Sequence, residues 1–202
     1  MEITRIVTGN LAENCYLVWQ QNDLLIIDPG ADAQLIMDTI ATIDATPQAI
    51  LLTHTHSDHI GAVDAIRDIY QIPVYVSPLE NSWLQDPVRN LSGAQPITAR
   101  PAEHEFDLKT YTIGTISFKV VATPGHSIGS VSFIFDDFVV CGDALFRGSI
   151  GRTDLYTGNL EQLLTSIQTQ LFTLPDQFPV YPGHGDSTTI EHEKRTNPFF
   201  NR

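Results

Sequence analysis

The chain has 202 residues, 42% of them hydrophobic and 17% charged, with 13 glycines and 12 prolines, enough for a buried core in an ordinary turn-rich globular composition. Its 11 basic and 24 acidic residues leave a formal charge of −13, which opposes a phosphate-rich partner and argues against nucleic acid. No basic leader opens it and no apolar run nears the roughly 20 residues needed to cross a bilayer, so the expectation is a cytoplasmic protein without a membrane partner.

The first elements are β-type runs: Ile3 to Val7, Cys15 to Trp19 and Leu24 to Ile27, the last stopped by Asp28-Pro29-Gly30. They predict a hairpin-like start. Asp32 reads as the N-cap of a helix with Leu35, Ile36, Ile40 and Ile43 on its apolar face before Pro47. Ala49 to Leu52 is a short buried strand that runs into Thr53-His54-Thr55-His56-Ser57-Asp58-His59. Val63, Ile66, Ile69 and Tyr70 form the stripe of the next helix, and Val74 to Val76 a strand.

Residues 77–102 hold four prolines and no sustained period, which predicts a surface excursion and a candidate lid. Strands follow at Tyr111 to Ile113, Ile116 to Val121, Val131 to Phe135 and Phe138 to Cys141. Asn159 caps a helix with Leu160, Leu163, Leu164, Ile167 and Leu171 on one face. Phe178 to Tyr181 reads as a last strand, and Thr189 to Lys194 as a short polar helix. Two strand blocks, each followed by helices, favour an α/β fold, and no linker or charge run divides the chain. Cys15 and Cys141, far apart in apolar runs, read as reduced buried thiols rather than a disulfide or a zinc ribbon.

Three histidines and one aspartate lie between His54 and His59. Imidazole nitrogen and carboxylate oxygen are the donors that zinc and similar ions take. In an extended segment His54 and His56 point to one side and can share a metal. Asp58 and His59, where the chain turns into a helix, can reach a second. Asp28, His126, Asp143 and His184 all stand at the ends of apolar runs, where α/β sheets gather their ligand-binding groups. Val121 to His126 and Val180 to His184 both close on Pro-Gly-His. The candidate ligands thus suffice for two ions: His54, His56 and His126 on one, Asp58, His59 and His184 on the other, with Asp143 as a bridge. Asp28 reads equally as a turn residue or as an acceptor that orients an imidazole. Arg147 and Arg152 are candidate clamps for a substrate carboxylate. His104 and His192, in acidic surroundings, read as surface residues.

The His-x-His-x-Asp-His run with its downstream His126, Asp143 and His184 resembles the metallo-β-lactamase superfamily. That resemblance implies an αβ/βα four-layer sandwich, a single domain over residues 1–202, with the site on one edge between two sheets. The stretch Cys141-Gly142-Asp143-Ala144-Leu145-Phe146-Arg147-Gly148-Ser149-Ile150-Gly151-Arg152-Thr153-Asp154, with Tyr181-Pro182-Gly183-His184-Gly185 and Arg195-Thr196-Asn197-Pro198-Phe199, is similar to the compact bacterial branch of glyoxalase II, the hydroxyacylglutathione hydrolases. The function so implied is a binuclear hydrolase that cleaves a thioester of the S-lactoylglutathione type with a metal-bridging hydroxide, Asp58 orienting that hydroxide and Asp143 bridging. Arg152 stands where glyoxalase II enzymes usually carry a lysine that meets the thiol part. The cofactors expected are two divalent metal ions, zinc first, with iron or manganese as alternatives.

Larger glyoxalase II enzymes continue into a helical C-terminal domain that contributes to glutathione binding. The expectation here is that this domain is missing, which leaves the thiol open. The partner expected is a small-molecule thioester, and the state a monomer or small homo-oligomer. The nearest alternative is a mononuclear iron persulfide dioxygenase, similar at Gly142 to Leu145 and Gly151 to Asp154, using His54, His126 and Asp143. A phosphodiesterase or nuclease branch is opposed by charge, and a non-catalytic metal-binding module by the complete ligand set.

Overall fold

The computed structural model describes residues 1–201. The chain divides into two compact units, one of residues 1–106 and 112–117, the other of residues 107–111 and 118–202. No linker marks the division, because a single hairpin between residues 110 and 122 is shared out between them. Among the described residues no helix is long and apolar enough to cross a membrane.

The first unit is a six-stranded sheet in the order β1 (Glu2–Thr8), β2 (Glu13–Gln20), β3 (Asp23–Ile27), β4 (Thr46–Leu51), β5 (Val74–Val76) and β6 (His104–Glu105). The first two pairings are antiparallel and the remaining three parallel. Strands β3 and β4 are joined through helix α1 (Ala33–Ile40). Leu24 to Ile27 are all buried, as the near-continuous apolar sequence of a strand covered on both faces requires. Strand β4 begins earlier than expected and takes in Pro47, which it tolerates at a register shift: Leu24 pairs with Pro47 and Leu25 with Ala49.

Two expectations about helix faces are corrected. Asp32 stands at the N-cap position of α1 in the left-handed region, at φ 50°, and its side chain makes no cap bond. Its carboxylate instead accepts the Gly9 N–H at 2.8 Å. Leu35 is 47% exposed, while Ile36 and Ile40 are buried. In helix α3 (Val63–Tyr70) the buried residues are Val63, Ile66 and Arg67, and Ile69 is 63% exposed. Arg67 takes that face because its guanidinium pairs with Glu103 and donates to the Arg100 and Pro101 carbonyls at 3.1 and 3.2 Å. Removing those donors strands two carbonyls and a carboxylate. Arg67→Ala is expected to lower stability by roughly 2 kcal/mol or more, read as a lower urea midpoint at unchanged slope.

Residues 77–102 are tied down rather than loose. They contain a 3₁₀ turn (Asn81–Gln85), and Glu80, Trp83, Leu84, Asn90 and Ala99 are all buried.

The second unit is a six-stranded sheet in the order β14 (Thr188–Thr189), β13 (Pro179–Pro182), β10 (Val139–Gly142), β9 (Val131–Ile134), β8 (Ile116–Ala122) and β7 (Thr110–Ile113). Because β8 and β10 are each antiparallel to β9, and β13 is parallel to β10, strands β8, β10 and β13 run in one direction. Their C-terminal ends lead to His126, Asp143 and His184. A small hairpin, β11 (Leu145–Phe146) with β12 (Ser149–Ile150), follows Asp143. Asn159 caps helix α4 (Leu160–Ser166) by accepting the Gln162 N–H at 2.9 Å. Leu160 is 42% exposed, outside the expected face, and after Ser166 the helix widens into a π turn (Ile167–Leu171) that keeps Ile167 and Leu171 buried. Helix α5 (Ile190–Thr196) closes the unit, with Ile190 in the core beside Val139, Leu163 and Val180.

Candidate metal centre

In the first unit, strands β3 and β4 deliver Asp28 and the histidine loop to neighbouring strand ends. Asp28 has φ 49° and is buried with both oxygens in use. Oδ1 accepts the Thr53 N–H at 2.7 Å; Oδ2 accepts the Thr53 hydroxyl at 2.6 Å and faces His59 Nδ1 at 3.1 Å. A carboxylate only accepts, so the proton of His59 sits on Nδ1 and its Nε2 lone pair is available for a metal. The Thr53 hydroxyl has given its one proton to Asp28, so at 3.1 Å from His54 Nδ1 it accepts, and His54 likewise presents Nε2. One buried carboxylate thereby sets the tautomers of two histidines. The donor atoms of Asp28, His54 and His59 lie within 4.8 Å of one another, and the bonds of Asp28 run to Thr53 and His59.

The four donors of the loop are close together. The ring centroids of His54 and His56 are 4.6 Å apart at 85°, and those of His54 and His59 are 4.1 Å apart. Asp58 stands on the short helix α2 (Ser57–Ile60), its carboxylate 3.8 Å from His59 Nε2 and 19% exposed. The loop can sit this low because Gly30 has no side chain: a Cβ there would lie 1.7 Å from the Asp58 carbonyl oxygen.

In the second unit, Asp143 Oδ2 lies between two imidazoles, 3.5 Å from His126 Nε2 and 3.6 Å from His184 Nε2. His126 Nδ1 donates to the Arg152 carbonyl at 2.8 Å, which leaves Nε2 toward Asp143. Gly125, at φ 129°, brings this turn against helix α4, where a Cβ would lie 2.3 Å from the Leu163 nitrogen. The edge of Phe146 packs on His184 with centroids 6.1 Å apart.

Arg147 is exposed at the tip of the β11–β12 hairpin. The Arg152 guanidinium is already held by Asp154, with two bonds of 2.8 Å. That bond and the adjacent charge hold the Asp154 carboxyl down at about 2. Cys141 is buried, its thiol pushed up to about 12 by desolvation, and its Sγ faces the Leu145 carbonyl at 3.3 Å. His104 and His192 are exposed.

Three buried acids escaped the sequence reading. Glu13 Oε2 accepts the Thr8 hydroxyl at 2.6 Å and its Oε1 lies 3.8 Å from His59 Nδ1; burial pushes this carboxyl well above the usual range, against the pull of His59. Glu80 accepts both the Thr55 N–H and its hydroxyl, at 2.9 and 3.0 Å. Glu193 takes the Gly148 N–H, the Thr188 hydroxyl at 2.6 Å and the Asn197 amide at 2.8 Å, and so binds helix α5 to the hairpin that carries Arg147. Only Glu13 carried a local signal, a lone acid at the start of an apolar run in Glu13-Asn14-Cys15-Tyr16-Leu17; Glu193 lies in the polar stretch Glu191-His192-Glu193-Lys194-Arg195.

The donors are imidazole nitrogens and carboxylate oxygens without thiolate, a set that fits divalent zinc, iron or manganese.

A profile of the metallo-β-lactamase superfamily matches residues 8–184, and the chain belongs to that superfamily. It is 49% identical to a probable metallo-hydrolase of Streptococcus pyogenes, over 99% of this chain and 90% of that protein. It is 34% identical to the hydroxyacylglutathione hydrolase GloC of Haemophilus influenzae, over 100% and 99%. Among solved structures, the B3 metallo-β-lactamase BLEG-1 matches at a TM-score of 0.95 with 44% identity and full coverage of both chains. TTHA1623 in a di-iron-bound form matches at 0.87 with 37% identity, over 97% and 99%. The chain therefore has the metallo-β-lactamase fold and is a metal-binding hydrolase of that superfamily.

Proposed function

We propose that the chain is a binuclear metallo-hydrolase that cleaves a thioester of the hydroxyacyl-thiol type. The observation that carries this reading is the complete donor set: His54, His56, Asp58 and His59 on the first unit, and His126 and His184 flanking Asp143 on the second. In our reading His54, His56 and His126 hold one ion, Asp58, His59 and His184 the other, and Asp143 bridges. The superfamily match, which spans all of these residues, supports the ligand assignment, and the di-iron form of TTHA1623 supports two divalent ions. Zinc is the ion proposed, with iron or manganese as alternatives.

When bound, such ions supply a hydroxide nucleophile at neutral pH and a positive charge for the developing oxyanion. The chain's own residues do the rest. Asp28 and the Arg152 carbonyl hold the imidazoles in the donor tautomer. Asp58, partly exposed beside His59, orients the attacking water. A thiolate with an ordinary pKa near 8.5 leaves without help, so no general acid is required. The likeness to GloC supports the thioester, and the net charge of −13 favours a small substrate over nucleic acid.

Arg147 is the clamp we favour for a substrate carboxylate. Arg147→Ala is expected to raise KM for an anionic thioester about tenfold, and Arg152→Ala less, because Asp154 already engages that guanidinium. The competition does not ease within any ordinary assay range. A depressed carboxyl pKa keeps the pair ionised above the usual carboxylate value and releases it only as pH falls toward about 2. KM changes of equal size for Arg147→Ala and Arg152→Ala, at pH 6 and at pH 8, would remove the distinction.

The reading is tested by turnover of S-lactoylglutathione against other acyl thioesters and a β-lactam. It expects hydrolysis of at least one thioester at more than about a hundredfold the β-lactam rate, a barrier difference of about 2.7 kcal/mol. Oxygen uptake on glutathione persulfide without thioester cleavage would favour the dioxygenase.

A further inference from the structure

We propose that Glu80 is a positioning residue for the metal donors His54 and His56. From Thr53 to Ser57 the donors occupy positions 54 and 56, and the residues between them are each fastened to the protein behind. Thr53 is held through N–H and hydroxyl by Asp28, at 2.7 and 2.6 Å. Thr55 is held through N–H and hydroxyl by Glu80 Oε2, at 2.9 and 3.0 Å. The Ser57 N–H donates to the Asn90 carbonyl at 2.8 Å. In extended backbone successive side chains point to opposite sides. Fixing the intervening residues therefore fixes how far the two imidazoles stand apart.

Glu80 is a stiff post for this purpose. It is fully buried; its N–H is bonded to the Ser77 carbonyl at 3.0 Å and its carbonyl receives the Trp83 N–H at 2.9 Å. The segment around it is anchored again where Asn81 accepts the Ala102 N–H and donates to Glu105, both at 2.9 Å. The same carboxylate oxygen takes both donors of Thr55, so the peptide between His54 and His56 is held in position and in rotation. Asp28 already governs His54 and His59 through Thr53 and its own contact with His59. Glu80 governs the spacing of the His54–His56 pair, and residues 77–102 thereby serve as the frame of the metal loop.

This inference rests on the reading that His54 and His56 share an ion, and the test separates the two. Apoprotein is titrated with Co²⁺ and with Zn²⁺ against a competing chelator, following the Co²⁺ visible bands, with folding checked by circular dichroism. Glu80→Ala is expected to stay folded and to bind the ion of the His54–His56 pair 10- to 100-fold less tightly, with altered Co²⁺ bands, roughly the effect of losing a partner behind a ligand. Glu80→Gln, which keeps one acceptor oxygen for Thr55, is expected to recover most of that loss. His54→Ala should abolish the same ion. Folded Glu80→Ala with wild-type affinity and bands overturns the proposal, whereas wild-type binding in His54→Ala overturns the ligand assignment and the proposal with it. If Glu80→Ala fails to fold, Thr55→Val and Thr55→Ser decide. Valine loses one of the two bonds to Glu80 and should weaken binding by about threefold to tenfold, serine should not, and equal affinities overturn the role.

Discussion

Asp58→Ala is expected to give a folded protein that holds one divalent ion per chain in place of two and has lost about a thousandfold or more in kcat/KM, about 4 kcal/mol of transition-state stabilisation. The separation of fold from function follows from where the loop is fastened. Its anchors are Thr53 on Asp28, Thr55 on Glu80 and Ser57 on the Asn90 carbonyl, and the close approach of position 58 to Gly30 is made by backbone. The carboxylate itself is partly exposed beside His59. Its removal therefore costs little packing, and a surface-type change of within about 1 kcal/mol in stability is expected. In the proposed centre, however, it is both a ligand of the second ion and the group that orients the water. Elemental analysis and an unfolding curve on the same preparation check both halves. Two ions in the variant would remove Asp58 from the ligand set.

Gly151→Ala is expected to be strongly destabilising. A Cβ at this position would lie 1.8 Å from the Asp143 carbonyl oxygen and 3.2 Å from His126 Nδ1. The obstacle is backbone, so no rotamer change relieves it. Residue 151 also donates its N–H to the Ala144 carbonyl at 3.2 Å, and its neighbour Arg152 supplies the carbonyl that orients His126. Pushing the two segments apart moves Asp143, His126 and that carbonyl together. The expected result is a loss of roughly 3–5 kcal/mol with weakened metal binding, seen as a large fall in Tm that added Zn²⁺ restores only in part. A variant with wild-type Tm and metal affinity would contradict the packing described here.

The sequence revealed the donors better than their supports, for a physical reason. The proposed metal ligands are histidines and carboxylates at the ends of apolar runs, so residue type and local position together pick out His54, His56, Asp58, His59, His126, Asp143 and His184. The groups that hold them carry no such local mark. Thr55 and Glu80 are 25 positions apart, as are Thr53 and Asp28, and only the parallel pairing of β3, β4 and β5 brings those stretches together. The arginines divide on the same ground: both were visible as cations, but only the fold shows one held by Asp154.

Strands were legible wherever an apolar run was continuous. The β11–β12 hairpin was hidden, being only two residues deep on each side and composed within a glycine-rich motif. Ile36 with Ile40 and Leu163 with Ile167 were read correctly as buried, whereas Leu35 and Leu160, assigned to the same faces, are exposed because the buried stripe is narrower than the aliphatic pattern. In helix α3 a charged residue is buried instead, and Arg67 takes the place expected of Ile69, which is exposed. Helical spacing cannot tell a buried arginine with partners from a solvated one, because the partners Glu103, Arg100 and Pro101 lie more than 30 residues away in sequence.

The proposed ligand set holds two metal ions, and its most direct test is metal analysis of the purified protein by elemental mass spectrometry. The account predicts two divalent ions per chain, zinc foremost, both released by chelation together with thioesterase activity. A single iron per chain, with activity intact at that stoichiometry, would contradict it.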